Sequence, residues 1–229
     1  APQSGGRATL KELNVMGAMQ LFAACQNAPT VRRVVLKSTS EVYGSNQFDP
    51  VMFTEAGGAR RPLRDGFGRD STDIEGYVRG LGRRRQDITV TILRLANMIG
   101  PAMDTALSRY LAGPVVPTVF GRDARLQLLH EQDALSALER ATLAARPGTF
   151  NIGARGIIMM SQAIRRSGRV SLPLPRVGVR ALDSMLGGRG RDASNDSLDY
   201  MSFGRVMDTT RMRTELGFEP KWTTMEAFD

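Results

Sequence analysis

Leu10, Leu13, Val15, Met16, Met19, Leu21, Phe22, Ala23 and Cys25 recur at the spacing that gathers apolar side chains on one stripe of a helix. The pattern predicts a helix from about Thr9 to Ala28, stopped by Pro29. Val31–Lys37 follows as a short β-branched run, the mark of a strand buried on both faces. A loop rich in Gly, Pro and Asp runs from about Tyr43 to Gly66. Ile74, Tyr77, Val78 and Leu81 then form a second helical stripe within Asp70–Arg85, and Thr89–Leu95 is another buried strand. Helix, strand, long loop, helix, strand is the alternation of an α/β fold with a parallel sheet.

The pattern loosens after Gly100–Pro101. A short helix near Asp104–Ala112 precedes extended pieces at Val115–Phe120 and Leu126–His130. Helix Gln132–Ala145, strand Thr149–Ile152, a helix starting near Ser161 and a helix at Thr209–Leu216 complete the expected elements. Gly187–Asp196 (GGRGRDASND) has the composition of a mobile surface loop.

Composition narrows the class. A chain of 229 residues can bury a core without staples. Its one cysteine, Cys25, excludes an internal disulfide and suits a reducing compartment. With one cysteine and one histidine, a zinc site of the usual ligand set is not expected. No apolar run approaches the ~20 residues of a membrane span, and no leader pattern opens the chain; a soluble, cytoplasmic protein is expected. The net charge of +8 is carried almost wholly by arginine, since Lys11, Lys37 and Lys221 are the only lysines. That surplus is either a solvated surface or an anion-binding face. Aromatics at 6 % leave no interleaved platform for stacking bases, so nucleic acid is not an expected partner and a basic RNA-binding protein is the last of the readings.

Five blocks carry a family resemblance. Asn14–Gly17 with Leu21–Ala24 (NVMG, LFAA) resembles the NVxGxxxLLEAA helix of the extended short-chain dehydrogenases, the NAD-dependent epimerase/dehydratase family that includes UDP-glucose 4-epimerase. Val34–Gly44 (VVLKSTSEVYG) is similar to that family's VVxxSSxxVYG. Leu93–Pro101 (LRLANMIGP) resembles LRxxNxxGP, His130–Asp133 stands where HVDD is expected, and Met207–Pro220 matches the closing DxxRxxxxLGxxP. The blocks keep the family's order and spacing across nearly the whole chain. The resemblance implies a Rossmann-like parallel sheet, with residues 1–101 as the C-terminal part of a dinucleotide-binding domain. Residues 102–229 would be mainly a smaller substrate-binding α/β region. It further implies NAD or NADP as cofactor, a nucleotide sugar as ligand, and a homodimer formed by the first helix and the Asp70–Arg85 helix. Met16, Met19 and Leu81 are the surplus apolar residues that cue that interface.

Two departures matter. The family opens with GxxGxxG on a strand–turn–helix, whose glycines let the backbone approach the cofactor pyrophosphate. Gly5-Gly6 has no strand before it, and Gly153-x-x-Gly156 lies in the wrong half. The pattern is picked up at the family's fourth helix, so a preceding segment of roughly 80 residues is expected from the size of βαβ units.

The second departure is chemical. The family's Tyr-x-x-x-Lys pair, in which lysine lowers the tyrosine pKa for proton exchange with a sugar hydroxyl, falls on Phe67 and Ser71 when Glu75 is matched to the family's KxxxE. Neither residue can hold that proton, and no Tyr-x-x-x-Lys occurs elsewhere. Tyr110 and Tyr200 fall in the wrong regions of the sequence.

The resemblance assigns the remaining roles by position. Thr39 stands at the catalytic Ser/Thr, with a local turn bond as its alternative. Glu41 matches one of the dehydratase branch's acidic pair, or serves as a cap or salt bridge. Ser38 and Asn97 would face the cofactor, and Asn97 the substrate too. Arg125 would clamp the diphosphate through its planar fork. His130 reads as a structural histidine and Asp133 as the cap of the following helix. The expected function is therefore that of an epimerase/dehydratase-family protein with impaired catalysis. The alternative is a non-catalytic protein that binds or senses a dinucleotide or nucleotide sugar.

Overall fold

The computed structural model describes residues 11–63, 66–185 and 195–229. The first apolar stripe forms a π-helical turn, Glu12–Met16, running into α1 (Gly17–Asn27). β1 (Arg33–Thr39) follows, then a 3-10 turn at Ser40–Tyr43. α2 (Phe67–Arg84) begins three residues before the apolar stripe predicts. Gly66 sits in extended backbone and its carbonyl accepts from Asp70 N–H, which adds a turn the periodicity cannot register. β2 (Thr89–Leu95) lies where the sequence puts it.

β1, β2 and β7 (Gly148–Ile152) form a parallel sheet in the order β1-β2-β7. Thr39 pairs with Leu95, and Leu95 with Ile152, so three carboxyl ends stand side by side. Open α/β sheets bind ligands at that rim. Strand alternation divides β1 between two cores. Val34 and Leu36 pack with Phe22, Val78, Leu81 and Ile92 on the α1–α2 side. Val35 packs with Leu93, Ala137 and Phe150 on the side of α4 (Glu131–Ala144). The expectation that this strand is buried on both faces is corrected: Arg33 and Lys37 are exposed. Among the described strands β1 pairs with β2 alone, which leaves one flank without a neighbour.

Beyond β2 the strands are short. β3 (Asn97–Ile99) pairs in parallel with β6 (Leu128–His130). α3 (Ala106–Ala112) leads to β4 (Val115–Val119), whose parallel partner β9 (Val170–Leu174) the sequence pattern misses. β5 (Arg125–Leu126) lies between β8 (Ile158–Met159) and β10 (Gly204–Arg205). α5 (Met160–Arg166), α6 (Arg176–Met185), α7 (Asn195–Phe203), α8 (Thr210–Thr214) and α9 (Thr224–Phe228) complete the order. The expected loop Gly187–Asp196 lies outside the described residues except for Asn195 and Asp196, which open α7. No helix among the described residues is long and apolar enough to cross a membrane.

Candidate functional site

β1 ends at Thr39 in extended backbone, and the Thr39 hydroxyl accepts a hydrogen bond from Glu41 N–H at 3.3 Å. The local turn bond is thus present. α2 starts directly against this turn: a Cβ on Gly68 would stand 2.7 Å from the Glu41 carbonyl oxygen, so only glycine permits the approach. Thr39 and Glu41 are thereby brought to the N-terminus of α2, where the side chains are the half-exposed Phe67 and the buried Ser71. Neither offers an ionisable group.

Behind the turn lies a buried polar network. Arg94 on β2 makes a two-point ion pair with Glu75 on α2, at 3.0 and 2.8 Å, with both side chains almost wholly buried. Ser38 donates to the same carboxylate at 2.6 Å, and Arg79 donates at 2.8 Å. Arg94 also donates to the Tyr43 hydroxyl, which donates to Asn151. Burial alone would raise the Glu75 carboxyl; the hydrogen bonds and charge of Arg94, with Ser38 and Arg79, outweigh it and hold the group below its ordinary range. Burial pushes the Tyr43 phenol up despite Arg94. Ser38, expected to face the cofactor, instead has its hydroxyl committed to Glu75 inside the protein. A charged residue amid the apolar run of β2 was the available signal for this network, because a buried charge needs a partner.

A cavity of about 260 Å³ opens beside the turn, and three arginines line it: Arg122, Arg125 and Arg205. Arg205 donates to the Gly44 carbonyl and to Ser40, while Arg122 reaches Gln47 and lies over the Phe203 ring. The Arg125 guanidinium makes no hydrogen bond or ion pair with a described residue. Two acids share the cavity wall but are engaged. Asp123 accepts twice from Ser161, and Asp49 accepts twice from Asn46, its carboxyl pushed up by burial. Gly204, at φ 71°, passes so close to the Arg125 backbone that no side chain would fit. Arg205 escaped the sequence reading because 80 residues separate it from Arg125.

Asn97, on β3, is partly buried and lies against Tyr200, whose ring stacks on Arg205. Asn97 and Arg125 therefore reach the same region through the Tyr200–Arg205 pair rather than by direct contact. His130 is structural: it stacks on Trp222 and its Nδ1 caps α4 by accepting from Gln132 N–H. Asp133 corrects the expected cap, since its carboxylate accepts from the backbone of Lys221 and Trp222 instead. Among the described residues no cluster of potential metal ligands occurs.

The family model for the NAD dependent epimerase/dehydratase family matches residues 4–153. The chain belongs to that family. An uncharacterized protein of Mycobacterium tuberculosis is 73 % identical over 230 residues, covering the whole of this chain and 61 % of that protein. The chain thus spans about three fifths of the length of the curated relatives it matches most fully. Among solved structures, it is similar to UDP-glucose 4-epimerase from Thermotoga maritima with UDP-glucose. The TM-score there is 0.71 at 20 % identity, with 97 % of this chain and 69 % of that one covered. It is also similar to dTDP-glucose 4,6-dehydratase from Bacillus anthracis in complex with NAD, at TM-score 0.66 and 19 % identity, covering 98 % and 68 %. At these identities the likeness concerns the fold, and it bears out the Rossmann-like parallel sheet.

Proposed function

We propose that the chain is part of a nucleotide-sugar-binding member of the epimerase/dehydratase family in which the family's acid–base step is disabled. The observation that carries this reading is the N-terminus of α2. It packs on the Thr39–Glu41 turn, where the family's proton-transferring pair belongs, and presents Phe67 and Ser71. In this reading Thr39 orients a sugar hydroxyl, Asn97 contacts the ligand, and Arg125 with Arg122 and Arg205 holds the diphosphate. Glu41 remains the one acid at the turn able to exchange a proton. Residues 1–101 would serve the dinucleotide and residues 102–229 mainly the sugar nucleotide.

The dinucleotide, NAD or NADP, fits the described residues only in part. None of them forms a glycine-rich turn between a strand and a helix N-terminus, the device that cradles a pyrophosphate. What they offer is one wall at the carboxyl end of β1, and when bound the group would supply hydride chemistry there. A homodimer through α1 and α2 belongs to the same reading. Leu13, Met16, Met19 and Leu21 are exposed on the first helix and Tyr77 on α2. Leu81 is not part of that surface, because it is fully buried among Phe22, Val78 and Ile92.

Turnover of UDP-glucose by the full-length protein with NAD tests the disabled step. The native protein should show none, and Phe67→Tyr combined with Ser71→Lys should gain it, since a positioned acid–base group is worth roughly 10²–10⁴ in rate. Turnover by the native protein that Glu41→Gln abolishes would refute the reading and make Glu41 the base.

A further inference from the structure

The 3-10 turn after β1 is braced from the C-terminal region. Arg205, on β10, donates from Nε to the Gly44 carbonyl at 2.7 Å and from Nη1 to the Ser40 hydroxyl at 3.1 Å. Ser40 opens the turn and Gly44 follows its last residue, so one guanidinium holds both ends. The same Nε reaches the Ser45 hydroxyl at 3.2 Å, and that hydroxyl donates to the Gly204 carbonyl at 3.0 Å. Ser40, Ser45 and Arg205 are all buried. The register that delivers the guanidinium is set by β10 against β5, with Gly204 opposite Arg125 and Arg205 opposite Leu126. The Tyr200 ring, 4.8 Å from its centroid to the guanidinium carbon, packs against the group and limits its movement.

Ser40 stands between Thr39 and Glu41, and the Thr39 hydroxyl is tied to the Glu41 N–H of the same turn. Freeing Ser40 and Gly44 would therefore free the Thr39 hydroxyl as well. Arg205 also lines the arginine cavity, but it differs from its neighbour there. The Arg125 guanidinium makes no hydrogen bond or ion pair with a described residue, whereas Arg205 commits Nε and Nη1 to the turn. A planar fork can bond two oxygens in fixed directions at once; a lysine ammonium on a flexible stem would not fix both ends of the turn.

We propose that Arg205 is a positioning residue, which sets the Thr39 hydroxyl against the sugar of the ligand by bracing the turn, while Arg125 bonds the phosphate. The inference rests on the nucleotide-sugar reading above and deepens it. It narrows the part of Arg205 from holding the diphosphate to aligning the turn, so that its effect is felt at the sugar end. The cavity and the turn are then one recognition unit, with the phosphate and the sugar read by different arginines.

The experiment titrates the full-length protein calorimetrically with UDP-glucose and with UDP, which lacks the sugar. In Arg205→Met the ratio of the UDP-glucose to the UDP affinity should fall roughly tenfold, the worth of one hydrogen bond. Arg125→Met should weaken both ligands alike and leave the ratio as it is. Adding Thr39→Val to Arg205→Met should cost no further UDP-glucose affinity, because the two residues act through one contact. Ser40→Ala, which removes a single brace and keeps the arginine, should lower the ratio too and serves if Arg205→Met does not fold. Equal losses for the two ligands in Arg205→Met would make Arg205 a phosphate clamp and overturn the proposal. A ratio unchanged in both Arg205→Met and Ser40→Ala would overturn it as well, because the brace would then be structural only. If the native protein binds neither ligand at millimolar concentration, the nucleotide-sugar reading falls first and the role of Arg205 falls with it.

Discussion

Replacing Glu75 by leucine removes the only carboxylate paired with Arg94 among the described residues; the Arg94 side chain is 7 % exposed. The Arg94 guanidinium would keep the Tyr43 hydroxyl and a carbonyl of the loop at Glu55 as acceptors, but no counter-charge. Breaking a buried pair in this way costs about 3–5 kcal/mol. Arg94→Leu should cost less, because Glu75 retains Ser38 and the partly exposed Arg79. The double replacement removes both charges, so its cost should fall well short of the sum of the single costs. Urea unfolding measures all three, with the fluorescence of Trp222, the single tryptophan, and far-ultraviolet circular dichroism as independent probes. The folded carboxyl of Glu75 lies below its ordinary value. Its contribution is therefore fully present above the unfolded value of ~4.3 and is lost as pH falls through the lower folded value. The stability gap between native protein and Glu75→Leu should accordingly narrow in acid. A Glu75→Leu cost below about 1 kcal/mol, or single costs that add to the double within ~0.5 kcal/mol, would refute the pairing argument.

Two further outcomes are expected. Gly68→Ala should destabilise by about 1–3 kcal/mol in spite of alanine's better helix propensity, because its Cβ meets the Glu41 backbone; an unchanged urea midpoint would show that α2 does not press on the turn. Met16→Asp together with Leu13→Asp should turn a dimer into a monomer in sedimentation at tens of micromolar. A native protein already monomeric at that concentration would remove the proposed interface.

Much of the fold is legible in the sequence because local periodicity and family blocks agree. β2 matches its expected range because Val90 and Ile92 face one apolar layer and Leu93 and Leu95 the other, a pattern that the sequence itself displays. β9 escapes because Val170–Leu174 is mostly exposed, carries a proline and is ordered by pairing with a strand more than fifty residues away. The absence of a proton-carrying pair at residues 67 and 71 needs no coordinates at all, since side-chain chemistry is fixed by residue type. Where a polar group ends up is another matter. The sequence sets Tyr200 far from Asn97 and Glu41, and Arg205 far from Arg125. Only the chain's return through α7 and β10, alongside β5 and the turn after β1, brings their charges and hydroxyls within interacting distance. Residue types and their periodicity thus determine what chemistry is available and which elements form. Which polar groups meet depends on long-range packing that no local pattern encodes.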